Sequence, residues 1–166
     1  MPRARVVVHT VLAVGEGKAE CVLLEHIKAL YVGRGAGFTV KVLGGYGKGG
    51  KGVLDYAIAR SGGADYDVRF ALLDTDASWD DTQRARARAQ GIRVVESSPC
   101  LEAWLLEIHR FAGERDSAGH KREFERRFGG QAHDRKTTAR HFGLNTLNGA
   151  RARVQPLDQL LALLQP

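Results

Sequence analysis

Residues 68–76 read VRFALLDTD: four consecutive apolar positions, Phe70 to Leu73, then an acid, a threonine and a second acid. A strand with no polar face must be buried on both sides, as in a sheet covered by helices above and below. The run ARVVVHTVLAV at 4–14 has the same character, and Gly15 and Gly17 break it. Between these two runs the period changes. In KAECVLLEHIKALY, 18–31, the apolar residues Val22, Leu23, Ile27, Leu30 and Tyr31 fall at helical spacing. FTVKVL at 38–43 is a second strand and VLDYAIAR at 53–60 a short helix. SWDDTQRARARAQ at 78–90 is a helix opened by Ser78, with Asp81 three residues on as a capping-box variant, and stopped by Gly91. IRVVES at 92–97 is a fourth strand, and Pro99 opens a helix that runs on through Phe111. Strands alternating with helices define an α/β fold, with a mostly parallel four-stranded sheet flanked by helices on both faces.

That alternation covers residues 4–112, and we expect residues 1–112 to form one α/β domain. Residues 113–166 are basic, carry no internal repeat, and read as a small, mainly helical C-terminal extension packed on the same domain. KREFERRF at 121–128 and PLDQLLALL at 156–164 are helices, and DRKTTARHFG at 134–143 is a helix or a loop.

Composition narrows the class. The 166 residues are 43% hydrophobic and 27% charged, which excludes a disordered or fibrous chain. Two cysteines, Cys21 and Cys100, make no disulfide framework and no C-x-x-C zinc pair, which fits a reducing, cytoplasmic setting. No apolar run approaches the ~20 residues that span a bilayer, so no membrane partner is expected. MPRARVVVHT reads as the start of a strand, not as a signal peptide. The net charge of +6 leaves two readings open, a polyanionic partner or an ordinary solvated basic surface. At 7% aromatic, the composition does not indicate an extended base-stacking platform.

In parallel sheets the working residues collect at the carboxyl ends of the strands. Glu16 follows the first strand; Asp74 and Asp76 follow the third, on one side of it because strand side chains alternate. If these strands are neighbours, three carboxylates converge, and like charges so close raise one another's pKa unless a cation neutralises them. Oxygen ligands favour Mg2+ or Mn2+ over zinc. The plainer reading is that strand-end acids cap the helices that follow. Glu102 carries the same pair of readings: a first-turn carboxylate suited to the positive end of its helix, or a further metal ligand. Trp104, Leu105, Ile108 and Phe111 form a helical stripe that reads as core.

Three blocks, in order, resemble the RloB-like family of Toprim-domain proteins. EGKAE at 16–20 is similar to that family's EGxTE opening, LLDTD at 72–76 to its DxD strand, and SSPCLEAWLL at 97–106 to its SNPCFExWLL block. The resemblance implies a Toprim-like fold and a magnesium-dependent nuclease cutting phosphodiester bonds of DNA or RNA in anti-phage defence, with an ATPase as partner protein. It implies catalytic and metal-holding roles for Glu16, Asp74, Asp76 and Glu102. The family's histidine, six residues after the glutamate of the third block, is here Ile108, with His109 next.

The segment GGYGKGGKG at 44–52 nearly meets the spacing of a phosphate-binding P-loop, and FALLD at 70–74 would be its acidic strand. Against that, Gly52 stands where a Ser or Thr hydroxyl must hold magnesium, and the loop follows the second strand. Two further readings are a plain surface connection, or a loop whose Lys48 and Lys51 hold a phosphate backbone. Lys18, Arg135 and Lys136 complete the candidate nucleic-acid contacts. A non-catalytic subunit that binds nucleic acid or an ATPase is the alternative to an enzyme.

Overall fold

The computed structural model describes residues 8–33, 37–45, 49–63, 65–75 and 77–165. Residues 4–7 of the expected first strand therefore lie outside the described residues, as do Lys48 and Asp76. Elements follow in the order β1 (His9–Gly15), α1 (Lys18–Tyr31), β2 (Phe38–Gly44), α2 (Gly49–Ser61), β3 (Val68–Asp74), α3 (Asp81–Ala89) and β4 (Arg93–Ser97). Five helices complete the chain: α4 (Leu101–Ile108), α5 (Ser117–Phe128), α6 (Arg135–His141), α7 (Leu144–Ala150) and α8 (Gln155–Leu164). The sheet order is β2-β1-β3-β4, and every pairing is parallel. The protein is thus α/β, with a four-stranded parallel sheet flanked by helices, consistent with a Toprim-like fold.

The apolar strands are explained by two separate cores. Val11 and Ala13 of β1 and Phe70 and Leu72 of β3 face one core, with α1, α4 and residues of the C-terminal helices such as Phe124, Leu147 and Leu160. Leu12, Val14, Ala71 and Leu73 alternate to the other face, against Val53, Leu54 and Ala57 of α2 and Ala87 of α3. With apolar partners on both sides, the stretches Val11–Val14 and Phe70–Leu73 have no position where water would favour a polar residue. Trp104, Leu105 and Ile108 are buried in the first core and Phe111 packs against it.

Three local readings are corrected. The helix of 78–90 begins at Asp81, because Asp80 is the cap: its carboxylate accepts the Gln83 N–H at 2.9 Å. Ser78 instead accepts the Lys51 N–H through its Oγ at 3.3 Å. The helix expected at 53–60 starts earlier, at Gly49, so Lys51 sits in its first turn and not in a loop. The helix opened by Pro99 is shorter than expected. It runs from Leu101 to Ile108, and Arg110 beyond it takes a left-handed backbone at φ 63°.

Gly50 shows why the glycine-rich segment is built as it is. A Cβ there would lie 2.9 Å from Trp79 Cβ, so α2 approaches Trp79 only without a side chain. Helix propensity favours Gly→Ala by ~1 kcal/mol, but overpacking a buried contact costs ~1–3 kcal/mol. The clash involves a Cβ close to the backbone, so it wins. Gly50→Ala is expected to lower the unfolding free energy in urea, while Gly63→Ala, with open space around it, stays within ~0.5 kcal/mol of wild type.

Candidate active site

The pairing of β1 with β3 brings the acids together. Gly15 is in register with Leu72, and the Glu16 N–H donates to the Leu72 carbonyl at 3.0 Å. The Asp74 N–H in turn donates to Glu16 Oε2 at 2.6 Å. Beyond it the Thr75 N–H donates to the Ser97 carbonyl at 2.9 Å, which ties in the end of β4. Two helices add carboxylates from their first turns: Glu20 of α1, 6% exposed, and Glu102 of α4, 8% exposed. Glu20 Oε2 accepts the Gly17 N–H at 2.9 Å. The close approach of α1 depends on Gly15, where a Cβ would lie 3.0 Å from both the Cys21 N and Glu20 Cβ. Glu16, Glu20, Asp74 and Glu102 line one cavity of about 450 Å³, and Lys121 and His133 reach it from the C-terminal third.

The crowding shows in the protonation of these groups. Burial, then the charges of Glu20, Glu16 and Glu102, pushes the Asp74 carboxyl up to about 8, against a smaller opposing pull from Lys121. Burial raises Glu20 to about 7 despite the Gly17 N–H, with Glu16 and Glu102 adding to it. Burial and the nearby Glu102 and Asp74 carry the Cys100 thiol up to about 11. Asp74 Oδ1 is buried and has no hydrogen-bond partner among the described residues. A buried, unpartnered carboxylate oxygen amid three further carboxylates calls for a proton or a cation.

The donor set fits a hard divalent ion. Among the described residues, no three His, Cys, Asp or Glu side chains are arranged to hold a metal ion as they stand. Magnesium asks for less than that: it is usually held by one or two carboxylates, its own waters and a substrate phosphate. Asp74 with its unpartnered Oδ1 and the buried Glu102 beside it meet that need.

Of the sequence candidates, Glu16, Asp74 and Glu102 come together. Asp76 and Lys48 lie outside the described residues. Lys18 opens α1, is exposed, and lines both the acidic cavity and a neighbouring one of about 350 Å³. Arg135 lines that second cavity, and His133 is common to the two. Lys136, on α6, and Lys51, on α2, are exposed and are not among the described residues that line either cavity. His109 is packed among Phe111, Phe128 and Phe142, with Nε2 2.8 Å from the His141 carbonyl oxygen. Sequence reasoning missed Glu20, although it ends the EGKAE block, and Lys121, which no local pattern marks.

Comparisons with protein-family models, with curated proteins and with solved structures find no match for this chain. Among the described residues, no helix is long and apolar enough to cross a membrane.

The raised carboxyls make stability depend on pH in a definite sense. Unfolded, Asp and Glu titrate near ~4; folded, Glu20 and Asp74 hold their protons to about 7 and about 8. Between these limits the folded state binds more protons, so its stability is fully present below ~4 and falls as pH rises through about 7–8. In EDTA, the protein is expected to melt higher at pH 5.5 than at pH 8.5 on this account. His109, whose pKa burial lowers, acts in the opposite sense but is common to wild type and Asp74→Asn. The variant should therefore match or exceed wild-type stability at pH 8.5 and show a shallower fall between the two pH values. Equal slopes in the two proteins would remove Asp74 from the coupled cluster.

Proposed function

We propose that the protein is a divalent-metal-dependent phosphodiesterase that cleaves nucleic acid, working in anti-phage defence as a Toprim-domain protein of the RloB-like type. The observation that carries this reading is the buried Asp74 Oδ1, unpartnered among the described residues, inside a cavity that five carboxylates line at the carboxyl end of a parallel sheet. The three sequence blocks support the family and the defence setting, and through them an ATPase partner.

Asp74 and Glu102 would hold the metal, with Asp76 as the second acid of the DxD pair. A bound magnesium or manganese ion would neutralise charge on the scissile phosphate and make a water more acidic. Glu16 is oriented by the Asp74 N–H, which fixes its carboxylate at the strand end, where it accepts a proton from the attacking water. Glu20, held by the Gly17 N–H, shares protons with this group and keeps the cavity's charge low until substrate and cation arrive. Lys18 and Arg135, in the adjoining cavity, take the neighbouring phosphates, and His133 stands where the two cavities meet. Lys121 supplies a further cation beside Asp74.

Thermal melts with each ion, run beside cleavage assays on single- and double-stranded DNA and on RNA, test the reading. Millimolar magnesium or manganese should raise the melting temperature and stoichiometric zinc should not do so specifically. Asp74→Asn should shrink the magnesium response and lower cleavage by orders of magnitude. Glu102→Gln should do the same; if its carboxylate only meets the helix end, the change costs ~0.3–1 kcal/mol and spares activity. Magnesium stabilisation with no turnover on any substrate would move the protein to the non-catalytic alternative. A wild-type magnesium response in Asp74→Asn would remove the metal site itself.

Lys18→Ala with Arg135→Ala tests the phosphate track. Each removes one cation from the path, so nucleic-acid affinity should fall for all sequences alike and the salt slope should drop by about one per lost contact. Filter binding in EDTA across a salt series reads both. An unchanged slope would place the nucleic acid elsewhere.

A further inference from the structure

A third cavity, about 630 Å³, lies away from the acidic site, between α3 and the β3–β4 side of the sheet. None of the residues that line it takes part in the site above. Its floor is apolar: Trp79, Ala87 and Ile92 are buried and Val94 half-buried. Four arginines from three elements surround it: Arg69 of β3, Arg84 and Arg88 of α3, and Arg93 of β4.

Only one of the four is neutralised. Arg84 Nε donates to Glu96 Oε1 at 2.6 Å and its Nη1 to Asp81 at 2.9 Å. The Trp79 indole N–H donates to the same Glu96 oxygen at 2.6 Å, so Glu96 fixes both a wall and the floor. No hydrogen bond or ion pair joins Arg69, Arg88 or Arg93 to a described residue. Asp67, the other acid at the rim, is bound to the Thr10 N–H at 2.7 Å and lies beside His9. Arg69 lies over Gly91, where a Cβ would come within 2.9 Å of its Nη2, so the guanidinium approaches the backbone only because this residue has no side chain.

We propose that this cavity binds an organic polyphosphate of the nucleotide class. Guanidinium forks match phosphate oxygens in pairs, and three unneutralised ones would share the charge of a di- or triphosphate. The apolar floor would take the base and exclude water beneath it. The volume is that of a small-molecule site, apolar with a few convergent charges. The proposal stands apart from the nuclease reading, since it uses a different face and no carboxylate of the acidic cavity.

Calorimetric titration of the full chain in EDTA, which keeps magnesium-bridged phosphate out of the acidic cavity, tests it with ATP, inorganic triphosphate and adenosine. ATP should bind saturably at one site per chain, triphosphate more weakly and adenosine not measurably. Arg69→Ala with Arg88→Ala should weaken ATP at least ~tenfold, about 1.4 kcal/mol. Arg88→Glu alone, at an exposed position of α3, should weaken it in the same direction and controls for misfolding of the double variant. No saturable binding of ATP or triphosphate would overturn the proposal, as would unchanged affinity in both variants. Triphosphate binding as tightly as ATP would overturn the role of the apolar floor. Loss of ATP in Lys51→Ala with the arginine variants unaffected would overturn it in favour of the glycine-rich segment. Displacement by a twelve-residue oligothymidylate more readily than by ATP would overturn it in favour of a nucleic-acid surface.

Discussion

The hydrogen bond from the Asp74 amide to the Glu16 carboxylate joins the ends of two parallel strands, and most of the acidic cavity depends on it. It exists because β1 and β3 are neighbours in the centre of the sheet, with β2 and β4 at the edges. Both central strands are apolar on each face, so their polar residues can appear only where the strands end. The two ends coincide, and the backbone N–H of Asp74 reaches the carboxylate of Glu16, 58 residues away in sequence. Two helices then point their first turns at the same place. Acidic residues suit the N-terminal ends of helices, so Glu20 and Glu102 arrive for a local reason and meet Glu16 and Asp74 for a topological one. Their mutual repulsion is the consequence, met in part by backbone N–H donors at Glu16 and Glu20 and in part by protonation of Asp74 and Glu20.

What the sequence made legible follows the same division between local and long-range causes. The buried strands were readable because consecutive apolar positions have one physical explanation, and the four strands fall within a residue or two of the expected spans where the chain is described. Glu16, Asp74 and Glu102 were readable because each stands at a strand end or a helix start. Glu20 was not, because its place in α1 gives it an ordinary capping role; its burial comes from the approach of α1 that Gly15 permits. Lys121 and His133 reach the cavity only because the C-terminal helices fold back on the first core, and no period in the sequence records that. Glycines at 49, 50 and 52 read as a loop, whereas α2 starts at Gly49 and its Gly50 packs closely against Trp79. At Ser78 two hydroxyl or carboxyl caps competed within three residues, and Asp80, nearer the helix, took the role.

The distribution of charge carries more than its sum. A net charge of +6 says only that cations outnumber acids. In the fold a group of acids gathers at one end of the sheet, where Lys18 and Arg135 border them, and three arginines without acidic partners among the described residues gather on another face, around an apolar floor. Several other cations are paired locally. Arg126 and Arg127 both hold Glu123, Arg86 holds Asp55, and Arg151 holds Asp158, all near the surface, where such pairs are worth ~0–1 kcal/mol. Those pairs account for basic residues that composition alone would count toward a polyanion surface. Arg69, Arg88 and Arg93, without acidic partners among the described residues, keep their field for whatever enters the cavity beside them. A basic chain of this kind is therefore read by asking which of its positive charges the fold leaves uncompensated, and beside which cavity.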